Sequence, residues 1–549
     1  MHLTRRVAGI SLALSAAIAL ALALERSRTA NPFEIQIFHH LILYQDYPAI
    51  LPFVGILVAA FFAPLRVLGA RAALWCGLHP IALAIVTAAG LAMGSHAVYH
   101  AHPLSLDEFA VVFQGSIFAE GRLTGQFVPA LVDWLIPKPF QGRFLKVASD
   151  TGEVLSIYWP GFSLLLAPFS AAGLTWLLNP LIGGATVLLV HRIALTLFGN
   201  AESAGYAALL TVASPAVTIN ALSYYAMPAH LFLNAIFMLL LLRPSPLRAL
   251  AAGLCGSLAL ALHNPLPHLL FALPWIAWLA LGADRVRILG AMLAGYAPLG
   301  LLLGWGWAIF VQNLGSGTPL GDLATSSAAA GTLLSRPAAV FGWNPQAQLL
   351  ALFKLWLWAV PALLSIAALG AWRARAERGR WLTLMAAALL TYAGYFVVKL
   401  DQGHGWGFRY FHSAWIALPL LAVYALQKCR QRDALPGYVA ACAVLSLVVL
   451  TALRGLQVEQ FIARHLAQLP EASGAQARVR IVDITRGYYT WDLIQNDPFL
   501  RGPAITLASR GAQNDERMML QLFPQYRLLS SDRRGSVWGL RREDHGEKK

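Results

Sequence analysis

The sequence predicts an all-α polytopic membrane protein with a small α/β domain at its C-terminal end, and three observations predict it. Of the 549 residues, 58% are hydrophobic and only 12% are charged, about half the charge of an ordinary soluble chain. Apolar runs of roughly 20 residues, the length that a bilayer requires, recur along most of the chain. After position 453 ordinary charge returns, and short strand-like segments alternate with polar turns.

The net charge of +15 sits largely in short Arg-rich turns between apolar runs. Such turns report membrane orientation. Nucleic-acid binding would need basic patches interleaved with aromatics on a soluble domain, and none occur. Cys76, Cys255, Cys429 and Cys442 are dispersed and read as free thiols, neither a disulfide framework nor a metal site. Arg5 and Arg6 precede the first apolar run without a small-residue cleavage pattern after it, so that run reads as an uncleaved span.

Candidate spans fall at 7–24, 50–68 and 73–98, then at 180–198, 203–219, 226–242, 247–262, 266–281, 287–311, 349–371, 381–399, 412–427 and 435–453, about thirteen in all. The basic turns at 66–71, 243–248, 284–287, 373–380 and 428–432 alternate with loops nearly free of Lys and Arg. The positive-inside rule therefore places the N-terminus in the cytoplasm and the C-terminal domain outside. The apolar stretch 160–178 is long enough to cross, but counting it would invert every later turn. It reads instead as a re-entrant or surface-lying helix within a large loop, 99–179. Three parts follow: an N-terminal pair of spans (1–72), a transmembrane domain (73–453) and an outer α/β domain (454–549). In the last, strands are expected at 479–483, 504–507, 526–529 and 536–540, with a helix at 515–522. No internal repeat is visible, which weakens an inverted-repeat transporter reading.

Chemistry-bearing residues cluster in three stretches on the expected outer face. The first is the pair Asp107-Glu108, just past the third span, with apolar residues at 109, 112, 113 and 117 marking a helix. Ser105-x-x-Glu108 is also a capping box, and Asp107 suits the positive helix end. A capping role and a catalytic one are both open here. The second stretch is Tyr158-Trp159-Pro160-Gly161-Phe162. The third is the loop 399–412, where Gly403, Gly405 and Gly407 alternate with polar and aromatic residues. There Lys399, His404, Arg409 and His412 offer donors for phosphate oxygens. Trp406 and Tyr410 offer flat faces for a sugar or an isoprenoid chain, although aromatics also serve as interfacial anchors. His263 and His268 lie five apart in a Pro-rich turn with no acidic neighbour in sequence, and read as ordinary loop histidines. The loop 312–348, rich in Gly, Ser and Ala, is long enough for a substrate flap.

The order and side of these features resemble the GT-C superfamily of membrane glycosyltransferases. The likeness is to the protein-mannosyltransferase and aminoarabinose-transferase branch, over about residues 73–430. An acidic pair soon after a span is followed there by a Tyr-x-Pro-Gly-Phe-x-Leu-Leu-Leu-Ala-Pro segment. Here that segment comprises Tyr158, Pro160, Gly161, Phe162, Leu164, Leu165, Leu166, Ala167 and Pro168. Trp159 stands where many relatives have a second proline, and two additional spans precede the acidic pair.

The resemblance implies a multi-pass enzyme of the bacterial inner membrane with its site on the periplasmic side. Its donor would be a polyprenyl-phosphate sugar and its acceptor an extracytoplasmic lipid, glycan or protein. Asp107 is the expected general base, with Glu108 as the alternative. Lys399, His404, Arg409, Tyr410, Tyr158 and Trp406 are the expected donor and substrate contacts. No resident cofactor is read, and a divalent cation beside Glu108 stays open. The competing classes are a flippase or transporter for a lipid-linked glycan and a non-catalytic protein of envelope assembly. A coupling-ion carboxylate belongs at mid-membrane on a broken helix, whereas Asp107 falls at the outer boundary.

Overall fold

Prolines cut the predicted spans into shorter helices than hydropathy alone indicates. The computed structural model describes residues 2–315, 342–377, 379–398, 401–429, 434–471 and 477–540. Lys399, most of the expected flap at 312–348, Arg378 and positions 430–433 lie outside the described residues. Within them, five helices are long and apolar enough to cross a bilayer: His2–Arg28, Pro80–Ala97, Thr175–Phe198, Arg285–Gln312 and Leu435–Leu466. A pair bent by 44°, Ile37–Asp46 and Ile50–Ala59, makes a sixth. Other expected spans are shorter apolar helices, such as Met227–Leu241, Pro246–Ala261 and Leu266–Ala280. The chain is an integral membrane protein, but helix length does not establish the expected thirteen crossings.

The breaks have local causes. Proline has no amide hydrogen and clashes with the preceding turn, so it is favoured at a helix start. Pro215 opens a new helix after Ala201–Val212. Pro361, with Ala362 at φ 71°, separates Pro345–Leu357 from Leu363–Ala374. The predicted 50–68 span stops at Ala59, and Pro64 and Pro80 begin the helices Ala63–Leu78 and Pro80–Ala97. The first of these lies across two other helices at close range. A Cβ on Gly69 would come within 2.5 Å of the Ala440 backbone, and one on Gly77 within 2.2 Å of the Ala201 carbonyl.

Contacts divide the loops between two ends of the bundle. At one end Arg373 Nη1 donates to the Ala425 carbonyl (2.8 Å), Gln427 to Ser203 (2.9 Å), and Phe198 packs on Trp381. At the other, Tyr488 Oη donates to the Ile35 carbonyl (2.9 Å), Asn179 to the Ser223 carbonyl (2.7 Å), and the Trp159 amide to the His263 carbonyl (3.2 Å). In the stretch 160–178 the helix Gly161–Ala171 has 11 residues. It spans about 16 Å, short of the roughly 30 Å hydrocarbon core. Its first turn binds the Leu262 carbonyl through the Phe162 amide, and the chain after it returns to Asn179. Both flanks therefore sit at the same end.

The large loop and the C-terminal domain share one hydrophobic core. Three short antiparallel strands in the loop run in the order Gly125–Gln126, Glu153–Ser156, Leu145–Val147. The C-terminal sheet has the order Ile505–Ala508, Ala477–Val482, Gly535–Leu540, Tyr526–Asp532, with the first pair parallel. Phe113, Ile117, Phe127 and Leu131 of the loop pack with Val479, Ile481, Leu507 and Met519 of the domain. Burying such a side chain is worth roughly 1.5–3 kcal/mol relative to leaving it in water.

The expected boundary at 454 falls inside a helix, because Leu435–Leu466 continues straight through it. Arg454, Gln457 and His465 lower the hydropathy there. Arg454 is nonetheless buried, with its charge met by Asp46 at 2.8 Å.

Candidate active site

The helix Leu106–Ala119 begins at Ser105, whose extended backbone and hydroxyl cap the Glu108 amide at 3.4 Å. Successive helical side chains point about 100° apart, so the two carboxylates diverge. Glu108 turns inward and is fully buried. Its Oε1 accepts from Tyr99 Oη (2.8 Å) and the Tyr224 amide (3.0 Å), and its Oε2 accepts from the Leu104 amide (2.7 Å). The expected capping box is thus displaced by one residue, since Glu108 reaches Leu104 and not Ser105. Burial pushes the Glu108 carboxyl up to about 7, with these three donors opposing. Glu108 ties the chain after one span to the polar turn at Tyr224.

Asp107 turns the other way, into a nearly closed site. Arg409 Nη1 donates to its Oδ2 at 2.9 Å. His263 Nε2 lies 3.8 Å from its Oδ1. That oxygen makes no hydrogen bond of normal geometry among the described residues, although the Tyr158 hydroxyl also approaches the carboxylate. Burial alone would raise the Asp107 carboxyl, but the Arg409 and His263 charges outweigh it and hold it below the usual carboxylate value. Burial, and then the neighbouring Asp107, push the Tyr158 phenol well up, so that it remains a donor. His263 packs against the Tyr158 ring, tilted by 38° with centroids 4.0 Å apart. Burial lowers its imidazole, and Arg409 adds to this against the pull of Asp107.

Arg409 is held at both terminal nitrogens, while its Nε is buried without a hydrogen-bond partner among the described residues. Its guanidinium lies 4.1 Å over the Tyr225 ring, and its second terminal nitrogen donates to the Gln402 carbonyl. Its backbone amide donates to Gln402 Oε1 at 3.0 Å, while Gln402 Nε2 donates to the Gly407 carbonyl at 2.9 Å. Gly405 has φ 120°, and a Cβ there would meet Arg409 Cδ at 2.3 Å. The missing side chain makes room for the arginine itself, not for the backbone of a ligand.

The remaining loop residues support this arrangement from below. Trp406 is fully buried, stacked on Trp358, and donates to Tyr99 Oη at 2.9 Å. Its ring belongs to the core and offers no free face. Tyr410 stacks on Tyr395 at 4.3 Å and donates to the Asp401 carbonyl. His412 is buried against the Met227 carbonyl. His404 Nε2 lies 3.1 Å from Asp492 Oδ2. Of the expected contacts, the structure brings Asp107, Arg409 and Tyr158 together. It adds His263, Tyr225 and Gln402, which sequence spacing did not single out as partners. The polar turn 263–268, and the loop 399–412 that contains Gln402, were the available signal. Among the described residues no three His, Cys, Asp or Glu side chains converge on a metal position. Glu108 already has three donors.

No family model matches the chain, and no curated protein matches it. Among solved structures, ArnT from Cupriavidus metallidurans bound to undecaprenyl phosphate superposes with a TM-score of 0.51. The identity is 14%, over 83% of this chain and 97% of that one. The same protein in the apo state gives 0.51 and 14%, over 82% and 93%. The chain therefore has the fold of ArnT.

Proposed function

We propose that this chain is a glycosyltransferase that moves a sugar from a polyprenyl-phosphate donor to an extracytoplasmic lipid, glycan or protein. Its place would be the bacterial inner membrane, with the site on the periplasmic side. The observation that carries this reading is the meeting of Asp107 and Arg409 at 2.9 Å in a site that exposes little of either side chain. A general base and a phosphate-binding cation are the two groups that displacement of a lipid phosphate requires. The fold is also that of a protein seen with undecaprenyl phosphate bound.

In the proposed reaction Asp107 takes the proton of the acceptor nucleophile, which forms a bond to the anomeric carbon. The bond from that carbon to the phosphate oxygen breaks, and polyprenyl phosphate leaves against Arg409. A single displacement inverts the anomeric configuration. Tyr158 donates from beside the carboxylate, and Lys399 is proposed as a second cation for the phosphate. His404, Trp406, Tyr410 and Glu108 act by shaping the loop and helix that present the reacting pair. Phosphate oxygens compete with Asp107 for the same guanidinium, so donor binding would loosen the ion pair and restore the carboxylate's basicity. Transfer of radiolabelled sugar from a polyprenyl-phosphate donor in membranes containing the protein tests the reading. A purified, folded protein that moves no sugar from any such donor, yet carries the lipid across a bilayer, would establish the flippase instead.

A further inference from the structure

The segment 488–496 of the C-terminal domain touches three separate parts of the chain beside the proposed site. Tyr488 Oη donates to the Ile35 carbonyl at 2.9 Å, and the Ile37 amide donates to Tyr489 Oη at 3.1 Å. Gln495 Nε2 donates to the Pro103 carbonyl at 2.9 Å. Between them Asp492 is 3% exposed. Its Oδ1 accepts from the Leu106 amide at 2.9 Å, and its Oδ2 lies 3.1 Å from His404 Nε2, an electrostatic approach outside normal hydrogen-bond geometry. Tyr489 adopts φ 59°, a left-handed conformation that a tyrosine rarely takes. Its ring stands edge-on to His404, with centroids 5.0 Å apart.

One carboxylate from a distant domain thus contacts both sides of the reacting pair, at the residue before Asp107 and at a loop residue five before Arg409. Leu106 directly precedes Asp107, and its amide is one of the helix-terminal donors without an intrahelical partner. A carboxylate there also complements the positive end of the helix. His404 directly precedes Gly405, against which Arg409 is packed. Loop and helix are 302 positions apart at Arg409 and Asp107. The hydrogen bonds from Trp406 to Tyr99 and from Tyr99 to Glu108 tie the glycine loop to the inner face of the helix. Asp492 adds a second link, at the helix start and at His404.

Building on the glycosyltransferase reading, we propose that Asp492 is a positioning residue that keeps Asp107 and Arg409 in register by binding the start of the helix at Leu106 and the glycine loop at His404. It touches no reacting atom. The test uses the full-length protein and the variants Asp492→Ala, Asp492→Asn and His404→Ala. Asp492→Ala should lower kcat by about 100-fold, the order expected for a misplacement near 1 Å, with the acceptor KM little changed. Asp492→Asn keeps an oxygen for Leu106 and an amide for the imidazole, and should restore most of the turnover. His404→Ala should fall between the two.

Hydrogen exchange read by mass spectrometry provides a measure independent of activity. In Asp492→Ala, exchange should quicken in peptides covering 104–109 and 402–409. Peptides of the strands Ala477–Val482 and Gly535–Leu540 should stay protected. Full turnover in Asp492→Ala, or unchanged exchange at 104–109 and 402–409, overturns the proposal. Loss of protection throughout the C-terminal sheet with no rescue by Asp492→Asn makes Asp492 a folding residue of its own domain, and overturns it as well. If the wild-type protein transfers no sugar, the glycosyltransferase reading fails, and the exchange pattern alone decides whether Asp492 couples helix to loop.

Discussion

Arg409 and Asp107, 302 positions apart, form a 2.9 Å ion pair, so the cation expected to grip phosphate is the partner of the expected base. The pairing has two consequences of opposite sign. It holds Asp107 ionised well into the acid range, and it makes that carboxylate a weaker proton acceptor while Arg409 stays on it. A buried arginine of this kind has a strong competitor in a phosphate, which offers bidentate oxygens. Donor binding and base activation are therefore expected to be linked through one guanidinium.

Asp107→Asn separates the two consequences. Asparagine keeps the volume and one oxygen for Arg409 but cannot take a proton at neutral pH. Transfer should fall by about 10²–10⁴-fold, the usual cost of losing a general base. Binding of polyprenyl phosphate should hold or tighten, because Arg409 loses its anionic competitor. Thermal unfolding and a lipid-binding titration check both halves. Transfer at near wild-type rate would return Asp107 to a capping role.

Gly405→Ala tests the loop without touching a charge. The new Cβ collides with Arg409 Cδ and is strained at φ 120°, so the guanidinium must leave its place over Tyr225. Donor KM should rise together with a fall in kcat, as it should for Arg409→Ala. Arg409→Lys should recover only part, since an ammonium cannot serve Asp107 and the Gln402 carbonyl in one plane. Unchanged donor kinetics in both Gly405→Ala and Arg409→Ala, in folded protein, would exclude this loop as the phosphate site.

What the sequence made legible follows from what a bilayer enforces. Apolar length and Arg-rich turns organise the whole chain, and the C-terminal strands lie within a few residues of expectation, as Ala477–Val482 against 479–483 shows. Ser105 and Asp107-Glu108 mark a helix start that the structure places there. Tertiary partnership was not legible. A loop with Arg409 and His404 reads as free cationic donors, and nothing local shows that Asp107 and Asp492 already hold them. Trp406 reads as an exposed platform by type, yet packing against Trp358 and Tyr99 makes it core. Arg454 reads as the end of a span for the same reason: hydropathy counts a charge without knowing that Asp46 meets it inside.

Glu108 makes stability depend on pH in the direction opposite to an ordinary paired carboxylate. Its folded value of about 7 lies above the free value of 4.5, so the folded chain holds that proton more tightly. The contribution is fully present below about 4.5 and is lost as pH rises to about 7, amounting to about 3 kcal/mol across the window. Thermal midpoints should therefore fall over that range after other groups are accounted for. Glu108→Gln should flatten this component. It should also cost about 1–3 kcal/mol wherever its amide group is set against the Leu104 donor. A pH profile identical in wild type and Glu108→Gln would show that Glu108 is ionised throughout.

Orientation is tested by fusion. The Arg-rich turns at 243–248, 284–287 and 373–380 are expected in the cytoplasm, and the contacts place Asp107, Arg409 and the C-terminal sheet together at the other end. A reporter active only outside the cytoplasm should work when fused after position 540 and fail when fused at 283 or 376. The reverse pattern in well-expressed fusions would move the site to the cytoplasmic face and remove lipid-linked donors of the outer leaflet.

The N-terminal spans make their own prediction through Asp46. This carboxylate accepts from Lys354 Nζ (2.8 Å), Arg454 Nη1 (2.8 Å) and Trp358 Nε1 (2.6 Å), and all three charged groups are fully buried. Two cations share one anion, so the cluster is unequal under substitution. Removing Asp46 leaves two buried positive charges without an acidic partner among the described residues, whereas removing Lys354 leaves a matched Asp46–Arg454 pair. Breaking a buried pair typically costs 3–5 kcal/mol, and replacing an ion by an apolar isostere can be neutral. Asp46→Ala should therefore sharply lower the detergent-extracted folded yield and the thermal midpoint, while Lys354→Met should be close to wild type. Trp358 stacks on Trp406, which donates to the Tyr99 hydroxyl that holds Glu108. Any Asp46→Ala protein that does fold should consequently show lower transfer than Lys354→Met at equal amounts of folded enzyme. Equal damage from both substitutions would mean that Lys354 is needed for its own charge, and the two-to-one account of the cluster would have to be abandoned.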